Sequence, residues 1–464
     1  MKWDHVIKNG QLVDSQKIYQ GHIYIKDGKI AAISREELEG EALEVTDAGG
    51  KYVLPGLIDV HVHSRDGEKG ATYKEDFYHS SMSAAIGGLT TIFEMPNSNP
   101  AICNVENLEK QIKHLTPKAF VDFAIWGLAL GDLNLDQLEK LSAAGVIAFK
   151  FFWGYAVDCN TYQLIYNYIP GMTEAIPPLG DGEIYRMFRK IAETGKIVAI
   201  HAENFDIIQS LSKEIAASGD KSYQAFLKTR PNIAEETTIQ TAISFAKDTG
   251  AKLHILHLAA KEGVELIKRA QEKGYPVTGE TCSHYLCLCD EDFARVGPLL
   301  KVYPPVRTKE DQDTLWQGIQ SGVLSLVSSD HAPHTEEEKK GDLWSSPAGM
   351  ASIETLAPLM INEVSKGRIT INQLVSILSE NPAKIFGIYP QKGSLEIGTD
   401  ADITIVDLNV KTTIKKENLH SKSKVTPFDG FAITGAPVQT IVRGRTVAKN
   451  GEIVGTPQGR FIRP

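Results

Sequence analysis

The sequence predicts an α/β protein: a (β/α)8 barrel of the TIM type with a small β-sandwich domain built from both chain ends. Three observations predict it. Through the middle of the chain, short apolar segments alternate with helical stretches, which implies a parallel sheet buried on both faces. Eight such segments argue for closure into a barrel. Both termini instead read as short strands joined by Asn-Gly and Asp-Gly turns, the hairpin signal.

Residues 4–10 and 22–28 carry the amino-terminal hairpin pattern, and it returns at 401–407 and 440–444. Neither end is long enough for a sandwich alone, so residues 1–53 and 388–464 are expected to pair into one β domain. The barrel then occupies 54–387, with strands expected at 57–60, 89–95, 120–126, 146–152, 197–202, 252–258, 276–282 and 323–330. Stretches such as 265–273 between them have helical character.

Composition narrows the function classes. The chain is 42% hydrophobic and 23% charged, as in a globular protein with a large core. Net charge is −9 and no Lys/Arg tract occurs, so nucleic acid and anionic membranes are poor partners. That acidity does not exclude an anionic substrate, because one buried arginine outweighs distant, screened charges. Neither a signal-peptide run nor a membrane-length apolar run is present. The five cysteines form no CxxC pair, and a reducing cytoplasm is expected.

The chemistry gathers at strand ends. In Asp59-Val60-His61-Val62-His63, alternation on a strand turns both imidazoles to one face. His201 ends the fifth strand, His257 the sixth and Asp330 the eighth. His254 and His257, three apart, should face opposite sides; His257 is expected to look inward and His254 to pack or reach the surface. Such nitrogen and oxygen ligands suit zinc. Lys150 lies in the otherwise apolar Val146-Ile147-Ala148-Phe149-Lys150-Phe151-Phe152, where a bare ammonium is costly. Either it snorkels to the rim, or CO2 carbamylates it into an anion able to bridge two metals.

With these residues the chain resembles the cyclic amidohydrolases: dihydroorotases, hydantoinases (dihydropyrimidinases) and allantoinases. The resemblance runs from Val53-Leu54-Pro55-Gly56-Leu57-Ile58-Asp59 to Thr434-Gly435-Ala436-Pro437. It implies two Zn2+ bridged by carbamylated Lys150, with His61, His63 and Asp330 on one ion and His201 and His257 on the other. It also implies Asp330 as general base, a small cyclic amide or ureide as substrate, and a homo-oligomer, dimer or tetramer.

The subfamily signals divide. Arg65, Asn97 and His334 match the residues with which dihydroorotases hold a substrate carboxylate, a natural task for an arginine fork. Tyr155, five residues after Lys150, matches the hydantoinase tyrosine that steadies the oxyanion. Ser64 and Tyr303 depart from the dihydroorotase pattern, while Thr281-Cys282-Ser283-His284-Tyr285 looks like the hydantoinase and allantoinase loop and residues 388–430 look like hydantoinases. Cys282 is expected to line the pocket, and residues 341–349 could close over substrate. The carboxylate trio makes dihydroorotase the leading expectation, hydrolysing dihydroorotate to N-carbamoyl-aspartate. Hydantoinase or dihydropyrimidinase is the alternative, then allantoinase.

Overall fold

The computed structural model describes residues 2–464 and arranges eight parallel strands around one barrel. Leu57–Val62, Leu89–Glu94 and Asp122–Ile125 form one parallel run. Phe149–Trp153, Ile197–Ala202, Lys252–Ile255, Val277–Cys282 and Leu326–Ser328 form the other. Backbone bonds close both seams. Ile147 N donates to Ile125 O at 2.9 Å on one side, and His63 N donates to His331 O at 2.8 Å on the other.

The sixth and eighth strands stop short of their expected ends. His257 and Asp330 have φ of 36° and 44°, left-handed values that break the ladder and swing both side chains over the mouth. One other expectation falls with this. The alternation that would turn His254 away from His257 ends at Ile255. His254 is packed, the first of its two expected fates, fully buried with its Nε2 3.2 Å from Glu280.

Below the mouth the barrel is packed solid. Ile58, Val60, Phe93, Trp126 and Ala148 share a core with Phe386. The rings of Phe93 and Trp126 meet that of Phe386 edge-on, at centroid distances of 5.4 and 5.2 Å. The outer helices bury one stripe each. In Asp181–Thr194 it is Ile184, Met187, Phe188 and Ile191, the helical spacing. Each such side chain contributes roughly 1.5–3 kcal/mol on burial.

Both chain ends meet in a nine-stranded sheet. Its junction is the antiparallel pairing of Tyr52–Pro55 with Ile403–Thr413. Inward residues such as Ile7, Leu12, Ile23, Val53, Ile403 and Ile441 gather into one core. The final residues return to the barrel, where Ile462 N donates to Phe123 O at 2.8 Å.

One part of the architecture has no counterpart in the sequence pattern. After Trp153 the chain makes a small sheet of Ala156–Asp158, Leu164–Ile165 and Ala175–Ile176. It places Tyr155, Leu164 and Tyr166 at the barrel mouth. No helix among the described residues is long and apolar enough to cross a membrane.

Candidate functional site

His61, His63, Lys150, His201, His257 and Asp330 all line one pocket at the C-terminal ends of the strands. Asp330 Oδ1 lies 3.4 Å from His61 Nε2 and 3.5 Å from His63 Nε2. His201 Nδ1 and His257 Nε2 are 3.0 Å apart. Between these groups stands Lys150, fully buried, its Nζ without a hydrogen-bond partner. Burial pushes this ammonium down to about 7, so much of it is free amine, the form that adds CO2.

Three of these imidazoles have one nitrogen tied at the rear. Glu280 accepts from His61 Nδ1 at 2.7 Å, Glu203 from His201 Nε2 at 2.8 Å, and Asn97 Oδ1 from His63 Nδ1 at 2.8 Å. Each acceptor holds the proton on the rear nitrogen and leaves a lone pair on the front one, as ligating histidines require. Orphaned buried nitrogens on His61 and Lys150, together with an aspartate, make a donor set that fits divalent ions.

Sequence reasoning missed Glu280 and Glu203 and gave Asn97 a different task. Glu280 also takes Ser328 Oγ at 2.9 Å and His254 Nε2 at 3.2 Å. Burial works to raise its pKa, but the bonds from His254 and His61 prevail and hold it at about 2. Arg230 bonds Glu203 from the other side and stacks on the Tyr303 ring, 3.6 Å from its centroid. An acid in a strand otherwise buried, and one two residues past His201, were the available signals. Asp330 is tuned in a similar way. Burial pushes it up, while His61, His63 and His257 hold it well below its ordinary value.

The residues expected to contact substrate divide. Tyr155 lines the pocket with its ring edge on His201, centroids 4.9 Å apart. Burial pushes its hydroxyl well above the ordinary value, so it stays a neutral donor. Arg65 lines the pocket as well. Asn97 and His334 line a neighbouring cavity instead. Asn97 is committed to His63, while His334 Nε2 donates to Ala348 O at 3.0 Å and Nδ1 accepts from Lys74 Nζ at 3.1 Å. Cys282 does not reach the pocket. Its thiol is fully buried, 3.4 Å from Ser328 Oγ, and the helix Ser283–Cys287 follows directly. Of the carboxylate trio, only Arg65 stands at the reacting centre.

The amidohydrolase family profile matches residues 52–447. This chain belongs to that family. The amidohydrolase is 40% identical to an L-hydantoinase of Paenarthrobacter aurescens, over 99% of this chain and 98% of that one. An allantoinase of Rubrobacter xylanophilus is 35% identical over 95% of this chain and 93% of its own length. Among solved structures, the L-hydantoinase (dihydropyrimidinase) from Arthrobacter aurescens superposes with a TM-score of 0.93 at 38% identity, covering 100% of both chains. The chain is thus a cyclic amidohydrolase of the hydantoinase and allantoinase type, hydrolysing cyclic amides. The leading dihydroorotase expectation finds no support in these relatives.

Proposed function

We propose that this amidohydrolase is a hydantoinase, opening C5-substituted five-membered cyclic ureides to N-carbamoyl amino acids. The observation that carries the reading is Tyr155, whose ring stands on the pocket wall against His201 and whose hydroxyl stays neutral. The relatives named hydantoinase support it. We assign His61, His63, Lys150 and Asp330 to one zinc ion and Lys150, His201 and His257 to a second, with Lys150 carbamylated. When bound, the ions supply Lewis-acid activation of water and of the scissile carbonyl.

The chain's own residues then divide the remaining work. Asp330, ionised at neutral pH, takes the proton of the attacking water as the new C–O bond forms. It passes that proton to the ring nitrogen as the C–N bond breaks. Tyr155 donates to the carbonyl oxygen as negative charge builds there. Phe152, Tyr166 and Tyr303 wall the pocket and limit water.

The test is one zinc-supplemented preparation assayed against substituted hydantoins, dihydrouracil, allantoin and dihydroorotate. Hydantoins should turn over fastest; dihydroorotate turning over fastest would overturn the reading. Tyr155→Phe should lower kcat by about 10²–10³ with little change in KM. An unchanged kcat would remove Tyr155 from the mechanism.

A further inference from the structure

The pocket beside the six clustered side chains has a volume of only about 60 Å³. It admits the reacting edge of a ring and little more, so a ring substituent must enter a neighbouring space. Two open beside it. One, of about 540 Å³, is walled by Tyr168, Ile169, Phe205, Ile208 and Phe226, and suits apolar groups. The other, of about 490 Å³, shares Arg65, Leu164, Tyr166, Tyr303 and Ala348 with the reacting pocket.

This second cavity has an unusual charge. Arg65, Lys69, Lys74 and Lys301 line it, and no aspartate or glutamate does. The whole chain carries a net charge of −9, so composition does not account for that lining. The four cations are not equally free. Lys74 Nζ lies 2.7 Å from Glu338, and Lys301 Nζ donates to Leu343 O at 2.8 Å. Arg65 Nε, by contrast, is buried with no hydrogen-bond partner. The acid next to Arg65 in the chain, Asp66, is fully buried and already holds His114 and Lys118, each at 2.7 Å. The imidazole of His334 registers the positive field: burial first, then Arg65 and Lys74, hold it well below its ordinary pKa. The Arg65 Nη2 reaches His334 Nε2 only at 3.5 Å and no carboxylate pairs with the guanidinium, so an incoming carboxylate would supply the two parallel bonds its fork can make.

We propose that this cavity is a subsite for a carboxylate carried on the C5 substituent of the hydantoin, received by Arg65 and Lys74. The acid is borne on a short carbon linker, because the cavity extends past Leu164 and Tyr166, away from the ring edge. The product is the N-carbamoyl derivative of an acidic amino acid. The inference rests on the hydantoinase reading and deepens it.

The experiment compares kcat/KM for hydantoin-5-propionate with that for the corresponding uncharged amide, at low and high salt. Taking the ratio within one preparation cancels any loss of folded or metal-loaded enzyme. We expect the acid to be favoured about tenfold or more, the size of one charge-assisted hydrogen-bond pair, with the preference shrinking as salt rises. Arg65→Met should bring the ratio near one. Lys74→Met should lower it several-fold, and Lys74→Arg should retain it. A ratio near one in the unmodified enzyme, with both compounds opened, overturns the subsite and leaves the hydantoinase reading standing. So does an unchanged ratio in Arg65→Met. If neither compound is opened by the zinc-loaded enzyme, both readings fall.

Discussion

Lys150 Nζ is fully buried with no hydrogen-bond partner and only the Phe152 ring beneath it, a state that desolvation penalises by several kcal/mol. The proposed carbamylation would replace this buried cation with an anion that bound metal ions neutralise. Lys150→Ala should therefore lose bound zinc and turnover together, with partial rescue by a short carboxylic acid. Metal analysis beside the hydantoin assay reads both, and full activity in the variant would exclude a bridging lysine. Glu280 acts one step behind. Glu280→Gln keeps the shape but removes the charge that orients His61 and His254, and should weaken zinc binding about 10–100-fold in a chelator competition. At this scale legibility follows a simple division. His61, His63, His201 and Asp330 could be read because strand alternation and strand ends fix where a side chain emerges. Asn97, His334 and Cys282 could not, because residue type does not say which neighbour takes the hydrogen bond. Glu280 and Glu203 went unread because a buried acid announces nothing until its histidine is in place.

Among the elements, the one that departs most from the sequence pattern begins at Gly154. The fourth strand ends at Trp153, and the chain must turn at once to bring Tyr155 over His201. Gly154 does this with φ of 86°, and a Cβ there would stand 2.4 Å from Glu203 O. Only glycine satisfies both demands. Gly154→Ala should push apart the segments bearing Tyr155 and Glu203, lowering kcat at least about tenfold through displaced catalytic groups. Steady-state kinetics checks it, and a near-normal kcat would show that the turn tolerates the methyl. The two-residue strands that follow were illegible for a plain reason: they are too short to carry a period. The barrel strands were legible because each is a short, mostly buried segment set between helical stretches; their expected bounds ran long at both kinds of end, at 120 and 146 as well as at His257 and Asp330, where a left-handed residue breaks the ladder.

On the scale of the whole molecule, the β domain is tied to the barrel face opposite the catalytic mouth. Asp122 opens the third barrel strand, so it lies at the end remote from the chemistry. Its carboxylate meets Lys392 at 2.6 Å and is bonded also by Arg443, from the terminal sheet. Lys392, fully buried, reaches Asp400 and Asp402 as well, so one ammonium joins barrel and sheet. Burial works to lower the pKa of Lys392, and Asp402, Asp122 and Asp400 prevail in raising it. Its contribution to stability is therefore complete below the ordinary lysine range and is lost only as pH rises through the elevated value. Asp122 has the opposite sign. Burial pushes it up, Lys392 and Arg443 more than reverse this, and its contribution is lost as pH falls through the depressed value. Asp402, which burial raises, offsets part of that acid dependence. Lys392→Met leaves these carboxylates without their shared cation and should cost about 3–5 kcal/mol, the usual result of breaking a buried pair from one side. The loss should appear as a lower denaturation midpoint at neutral pH, while zinc content of the folded enzyme holds, because the ligand cluster sits at the other end of the barrel. A midpoint unchanged by Lys392→Met would mean that packing alone joins the two parts. A variant that lost zinc while keeping its midpoint would mean that the tie reaches through the barrel to the mouth.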